Sequence, residues 1–362
     1  MEFSLPDLSR RSFLAAGMGA LASVALPKFG LAVASTPRRI ILDTDPGVDD
    51  AMAIFLALRS PELKVEAITV VAGNVPLSLT LPNALRLLEI ARRPEIPVAA
   101  GAAAPLVRRL VTAKYAHGNN GLGGVEFPEP KLKPVSESAV QLMCRTVRAN
   151  PGEISIVAVG PLTNVATALS SDPGLAAKIR SIVVMGGSLT GGNVTPSAEF
   201  NFYVDPEAAR IVFTSGVPLT MVGLNVTNRV LMHEEQIRVL EAAQYPMSQA
   251  AGKIMRATLD RWIKERQLTG FGMHDPLTVA HVIDPTIVTL KDYYVQIETS
   301  GEFTAGESVA YSRAPRMSPP MSNGLPAPES PEVEFKPNCK VAVEADADKF
   351  FRLLLSRLTA PA

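Results

Sequence analysis

Cysteine is nearly missing from this chain: two occur among 362 residues. That scarcity excludes a thiolate metal cluster and a disulfide-stapled scaffold. Cys144 and Cys339 lie far apart, and nothing in the sequence pairs them. Cys144 falls in the helical pattern 140–144 and reads as a small buried apolar residue. An excess of charge of one sign is also missing, with 35 basic side chains against 35 acidic. The balance excludes the electrostatic footprint of a nucleic-acid partner or of a charged membrane surface. Histidine numbers four, so acid–base candidates near neutral pH reduce to His117, His233, His274 and His281. His233 and His281 sit in helical patterns and read as structural.

A long apolar span is lacking too. The stretch 15–26 is short and rich in small residues, against about 20 residues for a membrane helix, and Pro27 and Lys28 end it. It follows Ser9-Arg10-Arg11-Ser12-Phe13-Leu14 and precedes Ala32-Val33-Ala34. A charged start, an apolar middle and an A-x-A site in that order predict a twin-arginine export signal over 1–34. A membrane anchor is the competing reading. The expected mature chain is 35–362, periplasmic or secreted, with no stable membrane anchor. With Arg10, Arg11, Lys28, Glu2 and Asp7 set aside, its formal charge is −1. It is long enough for one α/β domain.

What the chain does have is acid packed into one turn. Asp43-Thr44-Asp45-Pro46-Gly47-Val48-Asp49-Asp50 places four carboxylates in eight residues, directly after Ile40-Ile41-Leu42. The apolar run reads as a buried strand, and Asp49 opens a helix. Capping explains one aspartate, or two, but not Asp43 and Asp45 at the strand end. Four acids at one strand-to-helix turn repel unless a cation neutralises them. Oxygen ligands suit a hard ion such as Ca²⁺ or Mg²⁺.

Beyond the turn, strand and helix alternate. Strands are predicted at 40–43, 65–72, 97–100, 154–159, 182–185 and 219–222, with helices at 49–59, 83–92 after Pro82, 137–149, 162–170 and 206–214, and a short one after Pro173. Residues 234–266 read as mostly helical, 276–283 as a helix, 293–298 and 341–344 as strands, and 347–358 as a closing helix. Near-continuous apolar strands between amphipathic helices predict a mostly parallel open sheet covered on both faces. Residues 314–331 carry six prolines and read as a loop insertion. Ligands of such sheets bind at the carboxyl ends of the strands. There the sequence places Asp43 and Asp45, Gly73-Asn74, Val159-Gly160-Pro161-Leu162-Thr163-Asn164 and Met185-Gly186-Gly187.

Asp-x-Asp-x-Gly-x-Asp-Asp after a first strand resembles the signature of the calcium-dependent, inosine-uridine-preferring nucleoside hydrolases. Gly73-Asn74, Gly160-Pro161-Leu162-Thr163-Asn164, Met185-Gly186-Gly187, Ala198-Glu199-Phe200-Asn201 and Met273-His274-Asp275-Pro276 resemble the family's later motifs, in the family's order. Aspartate-nucleophile phosphatases share only the opening Asp-x-Asp, which would leave Asp49, Asp50, Asn74, Glu199 and His274 without roles. A non-catalytic binding protein of the same fold would be favoured by a missing ligand or a missing Asp45, and none is missing.

The resemblance implies the nucleoside hydrolase fold and an enzyme that cleaves ribonucleosides to base and ribose, exported by the twin-arginine signal expected at 1–34. It implies Ca²⁺ held by Asp45, Asp50, Asp275 and the Val159 carbonyl, with Asp43 supporting. Asp45 would deprotonate the water that attacks C1′ through an oxocarbenium-like transition state. Asp49, Asn74, Glu199 and Asn201 would grip the ribose, and Met185 would pack against it. His274 is the expected acid toward the leaving base. His117, in a Gly-rich loop resembling the family's mobile loop, would contact base or ribose. Trp262 and Tyr115 fit base stacking and plain packing equally. Dimers or tetramers are the implied assembly.

Overall fold

The computed structural model describes residues 36–313 and 336–361, together with Met1. Apart from Met1, the expected signal at 1–34 lies outside the described residues, as does the proline-rich segment 314–331.

Eleven strands are present among the described residues: β1 (Arg38–Thr44), β2 (Leu63–Val70), β3 (Val98–Ala100), β4 (Ile154–Ala158), β5 (Ser181–Met185), β6 (Leu219–Val222), β7 (Leu231–His233), β8 (Gly270–Gly272), β9 (Val288–Ile297), β10 (Ser308–Tyr311) and β11 (Cys339–Ala345). Nine form one sheet in the order β10-β9-β11-β6-β5-β4-β1-β2-β3. The seven strands from β11 to β3 run parallel, and β9 and β10 add an antiparallel flank. The expected mostly parallel α/β sheet is the observed one.

The apolar runs form central strands because both faces are covered. In β1, Ile40 and Leu42 pack into one core and Ile41 into the other. The first core is built on the helices Val48–Arg59, Pro246–Arg266 and His274–Ile283, the second on Ala139–Ala149, Thr163–Ser171 and Pro206–Phe213. β2 lies on one side of β1 and β4 on the other. The strand order therefore reverses at β1, and the crevice beyond its carboxyl end is where such sheets bind ligands.

Several local expectations shift. The helix expected after Pro82 starts earlier, as Leu77–Ile90, with Pro82 inside it. Proline there removes one intrahelical bond, to the carbonyl of Ser78, which is exposed to water. The helical stretch 234–266 is two helices, Glu234–Ala242 and Pro246–Arg266, because Pro246 opens a new first turn. His233 is not helical: it ends β7 and caps the helix that follows. The sequence reading omitted the small antiparallel sheet of β7 with β8, the edge strand β10 and the short helix Phe200–Val204. Both cysteines are free. No helix among the described residues is long and apolar enough to cross a membrane.

Candidate active site

Four adjacent parallel strands, β5, β4, β1 and β2, end on the same edge, and each delivers one of the expected segments. A cavity of about 330 Å³ opens there. Its floor includes Asp49, Asn74, Met185, Glu199, Asn201 and Asp275, and the Val159 segment reaches it from β4. His117 and Tyr115 come from one wall. Asn228 comes from the end of the short helix Leu224–Thr227, Trp262 and Arg266 from the helix Pro246–Arg266, Phe271 from β8, and His274 from the start of the helix His274–Ile283.

The acidic turn is wholly buried. Asp43, Asp45 and Asp50 have no exposed surface, and Asp49 and Asp275 have almost none. Asp43 accepts hydrogen bonds from Thr69 Oγ1 at 2.5 Å and Asn164 Nδ2 at 2.9 Å. Asp45 Oδ2 accepts the Asn74 amide at 2.6 Å. Asp50 takes Thr44 Oγ1 at 2.6 Å, the Gly47 amide at 2.9 Å and Asn74 Nδ2 at 2.8 Å. Asp43 Oδ2 and Asp45 Oδ1 are buried with no hydrogen-bond partner. A Cβ at Gly73 would come within 2.1 Å of Asp45 Oδ2, and one at Gly160 within 2.5 Å of Oδ1. The two glycines leave the room in which that carboxylate sits.

Burial raises every carboxyl of the cluster above its usual range, because the charged form loses its hydration. Asp43 is pushed to about 7. Asp45 is raised well above its usual range, from burial and then from the charge of Asp50. Asp50 and Asp275 rise from burial and from the neighbouring carboxylates, and Asp49 from burial. No basic side chain makes an ion pair with Asp43, Asp45, Asp50 or Asp275 among the described residues; His117 Nδ1 stands 3.9 Å from Asp49 Oδ1. Ligand oxygens of Asp49, Asp50 and Asp275 lie within 4.8 Å of one another. An all-oxygen donor set, crowded charge without a counter-cation and an unpartnered buried Asp45 oxygen fit a hard divalent ion. The close trio contains Asp49, expected at the ribose, where the resemblance implies Asp45.

Glu199 caps the helix Phe200–Val204 and takes the amides of Gly187, Asn201 and Phe202. Burial pushes it to about 7 despite those bonds. Asn201 Nδ2 donates to the Val159 carbonyl at 3.0 Å and the Met185 carbonyl at 3.2 Å, which locks β4, β5 and the short helix into one floor. His117 Nδ1 accepts the Val48 amide at 3.1 Å, leaving its other ring nitrogen to carry the proton. His274 Nδ1 lies 2.7 Å from Thr227 Oγ1. Burial lowers His117 to about 3 and His274 to about 4, so both rings are neutral at pH 7.

The family model described as inosine-uridine preferring nucleoside hydrolase matches residues 40–352. The chain belongs to that family. It is 44% identical over 324 residues to a pyrimidine-specific ribonucleoside hydrolase RihA of Salmonella paratyphi A, covering 88% of this chain and 97% of that one. A solved plant nucleoside hydrolase superposes with a TM-score of 0.81 at 36% identity, over 90% of this chain and 100% of its own. A purine-preferring ribonucleoside hydrolase of Gardnerella vaginalis gives 0.77 at 31%, over 89% and 98%. The chain is thus a hydrolase acting on N-glycosyl bonds.

Every site residue expected from sequence gathers at this nucleoside hydrolase cavity or in the buried turn beneath it. Sequence reading gave no role to Asn164, which holds Asp43, or to Thr227, which touches His274. It also passed over Asn228 and Arg266. Asn164 stood inside a quoted motif and was within reach; the other three carry no local signal. Trp262 and Tyr115 both line the cavity, with the Arg266 guanidinium 4.9 Å from the first ring and 5.5 Å from the second.

Proposed function

We propose that the protein is an exported, calcium-dependent ribonucleoside hydrolase. The observation that carries this reading is the buried Asp45 carboxylate in the turn beneath the cavity, with one oxygen unpartnered and, among the described residues, no basic side chain to neutralise it. Asp45, Asp50 and Asp275, with the Val159 carbonyl, would hold Ca²⁺, and Asp49 lies close enough to share in it. The ion, when bound, would polarise water and the ribose hydroxyls as a Lewis acid. Asp45, oriented by the Asn74 amide, accepts the proton of the water that attacks C1′. Asp49, Asn74, Glu199 and Asn201 accept and donate hydrogen bonds to the ribose hydroxyls, and Met185 packs on the ring. Binding energy from those contacts turns the sugar toward its oxocarbenium-like transition state.

The electron pair of the broken C1′–N bond passes to the base. His274 donates a hydrogen bond to it, with Nδ1 held by Thr227. His117, pinned by the Val48 amide, faces the cavity from the opposite wall. The twin-arginine pattern at 9–14 supports export.

The chain lacking residues 1–34 is incubated with uridine, cytidine, inosine and adenosine, and free ribose is measured with and without a calcium chelator. Ribose release that the chelator abolishes and calcium restores is the expected result. Release indifferent to the chelator would remove the ion from the reading, and no release from any nucleoside would remove the activity.

A further inference from the structure

Residues 118–124 hold four glycines in seven positions, so this loop gives up much backbone freedom when it orders. Its internal bonds run from Gly121 to Gly118, from Gly123 to His117, and from Leu122 and Gly124 to the Asn120 side chain. Those bonds shape the loop and do not place it. Placement comes from the buried Leu122 side chain and from Asn83, which among the described residues is the one group outside 113–125 that hydrogen-bonds to 118–124. Asn83 lies in the helix Leu77–Ile90 and is 2% exposed. Its Nδ2 donates to the Asn120 carbonyl at 2.8 Å and to the Pro46 carbonyl at 3.2 Å, and its Oδ1 accepts Arg86 Nη1 at 3.1 Å. Two carbonyls on one side and a guanidinium on the other leave the amide a single orientation. Pro46 belongs to the acidic turn and Asn120 to the His117 loop, so one side chain joins the two.

The loop rests on the turn at two adjoining places. At the first, Gly121 closes on Asn83 and Pro46: a Cβ there would come 2.9 Å from Asn83 Nδ2 and 3.1 Å from the Pro46 carbonyl oxygen, at a φ of +84°. At the second, the His117 ring lies on Gly47, where a Cβ would come 2.4 Å from Nδ1, and that nitrogen accepts the Val48 amide. Arg261, from the helix Pro246–Arg266, donates to the Ala116 carbonyl and steadies the segment before His117; Asn83 steadies the segment after it. The turn itself is held without Asn83, by Asp50, which takes Thr44 Oγ1, the Gly47 amide and Asn74 Nδ2. What Asn83 adds is the register of the loop on the turn, and with it the place of the ring that lines the cavity. We propose that Asn83 is a positioning residue for nucleoside cleavage, pinning the loop to the acidic turn so that the proton-bearing nitrogen of His117 meets the bound nucleoside. Asn83 is not among the residues lining the cavity and acts through His117. This rests on the reading of His117 as a contact to base or ribose and deepens it.

The test is a double-mutant cycle on kcat/KM for uridine and inosine, with wild type, Asn83→Ala, His117→Ala and the double variant. Displacing a contact by about 1 Å can cost up to about 100-fold. Asn83→Ala should therefore lose about 10- to 100-fold, divided between the two substrates as His117→Ala divides it. In the His117→Ala background the same change should cost about twofold or less. Calcium affinity, titrated with the metal alone, should match the wild type. Asn83 is buried, so the melting temperature is followed; if Asn83→Ala does not fold, Gly121→Ala, which forces the loop off an intact Asn83, takes its place in the cycle. Losses that multiply in the double variant, an Asn83→Ala enzyme as active as wild type, or weakened calcium binding would overturn the proposal while leaving the hydrolase intact. A silent His117→Ala would overturn it by removing the reading of His117 on which it rests. Absence of ribose from every nucleoside with the wild type would defeat the hydrolase reading as well.

Discussion

Asp45 sits in a space left by two missing methyl groups, those of Gly73 and Gly160, with one oxygen on the Asn74 amide and the other unpartnered. A carboxylate so placed is costly to ionise, and a protein retains it when its chemistry needs the charge. Asp45→Asn keeps the shape and an acceptor for the Asn74 amide. As loss of a general base it should lower kcat by about 100-fold to 10,000-fold. The same change removes one of several crowded charges, so the melting temperature in chelator should hold or rise. Turnover within a few-fold of wild type would refute the general-base role, and a collapsed melting temperature would show that the loss was structural.

Among the elements, the helix Phe200–Val204 is short and does much of the positioning. Its cap, Glu199, and its second residue, Asn201, both face the cavity, and its Phe202 ring is fully buried. A Cβ at Gly186 would come 2.3 Å from that ring. Gly186→Ala must therefore displace the helix and its two polar groups together. A misplacement of about 1 Å can cost up to about 100-fold, so kcat/KM should fall by about 10- to 100-fold with little change in circular dichroism. Wild-type kcat/KM in Gly186→Ala would contradict this account of the helix. This helix also marks where the sequence stops being legible. Buried parallel strands announce themselves as apolar runs, and the acidic turn as a clash of charges. A helix of five residues has no periodicity to read, and β7 and β8, three residues each, have none either. Asn228 and Arg266 reach the site from helix ends by tertiary packing, so no spacing in the chain points to them.

The whole molecule carries its buried charge as a dependence on pH. In the folded, ion-free protein Asp43 and Glu199 titrate near 7, and Asp45, Asp49, Asp50 and Asp275 are raised as well. The unfolded chain releases those protons near pH 4. Between the two values the folded state holds more protons, so these groups cost stability as pH rises through about 4 to 7. His117, His274 and His281 act in the opposite sense, since their lowered values mean that stability is lost as pH falls below about 6.5. The histidines are common to protein with and without calcium, so the difference between the two isolates the acids. The gap in melting temperature between calcium-saturated and chelated protein should widen from about pH 5 to pH 8. A gap that is flat or narrows with pH would contradict a cation at this cluster.

The Asp275 amide meets the Asp49 carboxylate across 226 positions of chain. Contacts so distant in sequence close after local ones, because the intervening chain must first give up its freedom. Catalytic competence therefore arrives with completed topology. A chain stopped short of His274, however well its first strands have paired, lacks Asp275, one of the four proposed ligands, and His274 itself, and is expected to be inert toward nucleosides, so the finished fold is itself the switch that turns the enzyme on.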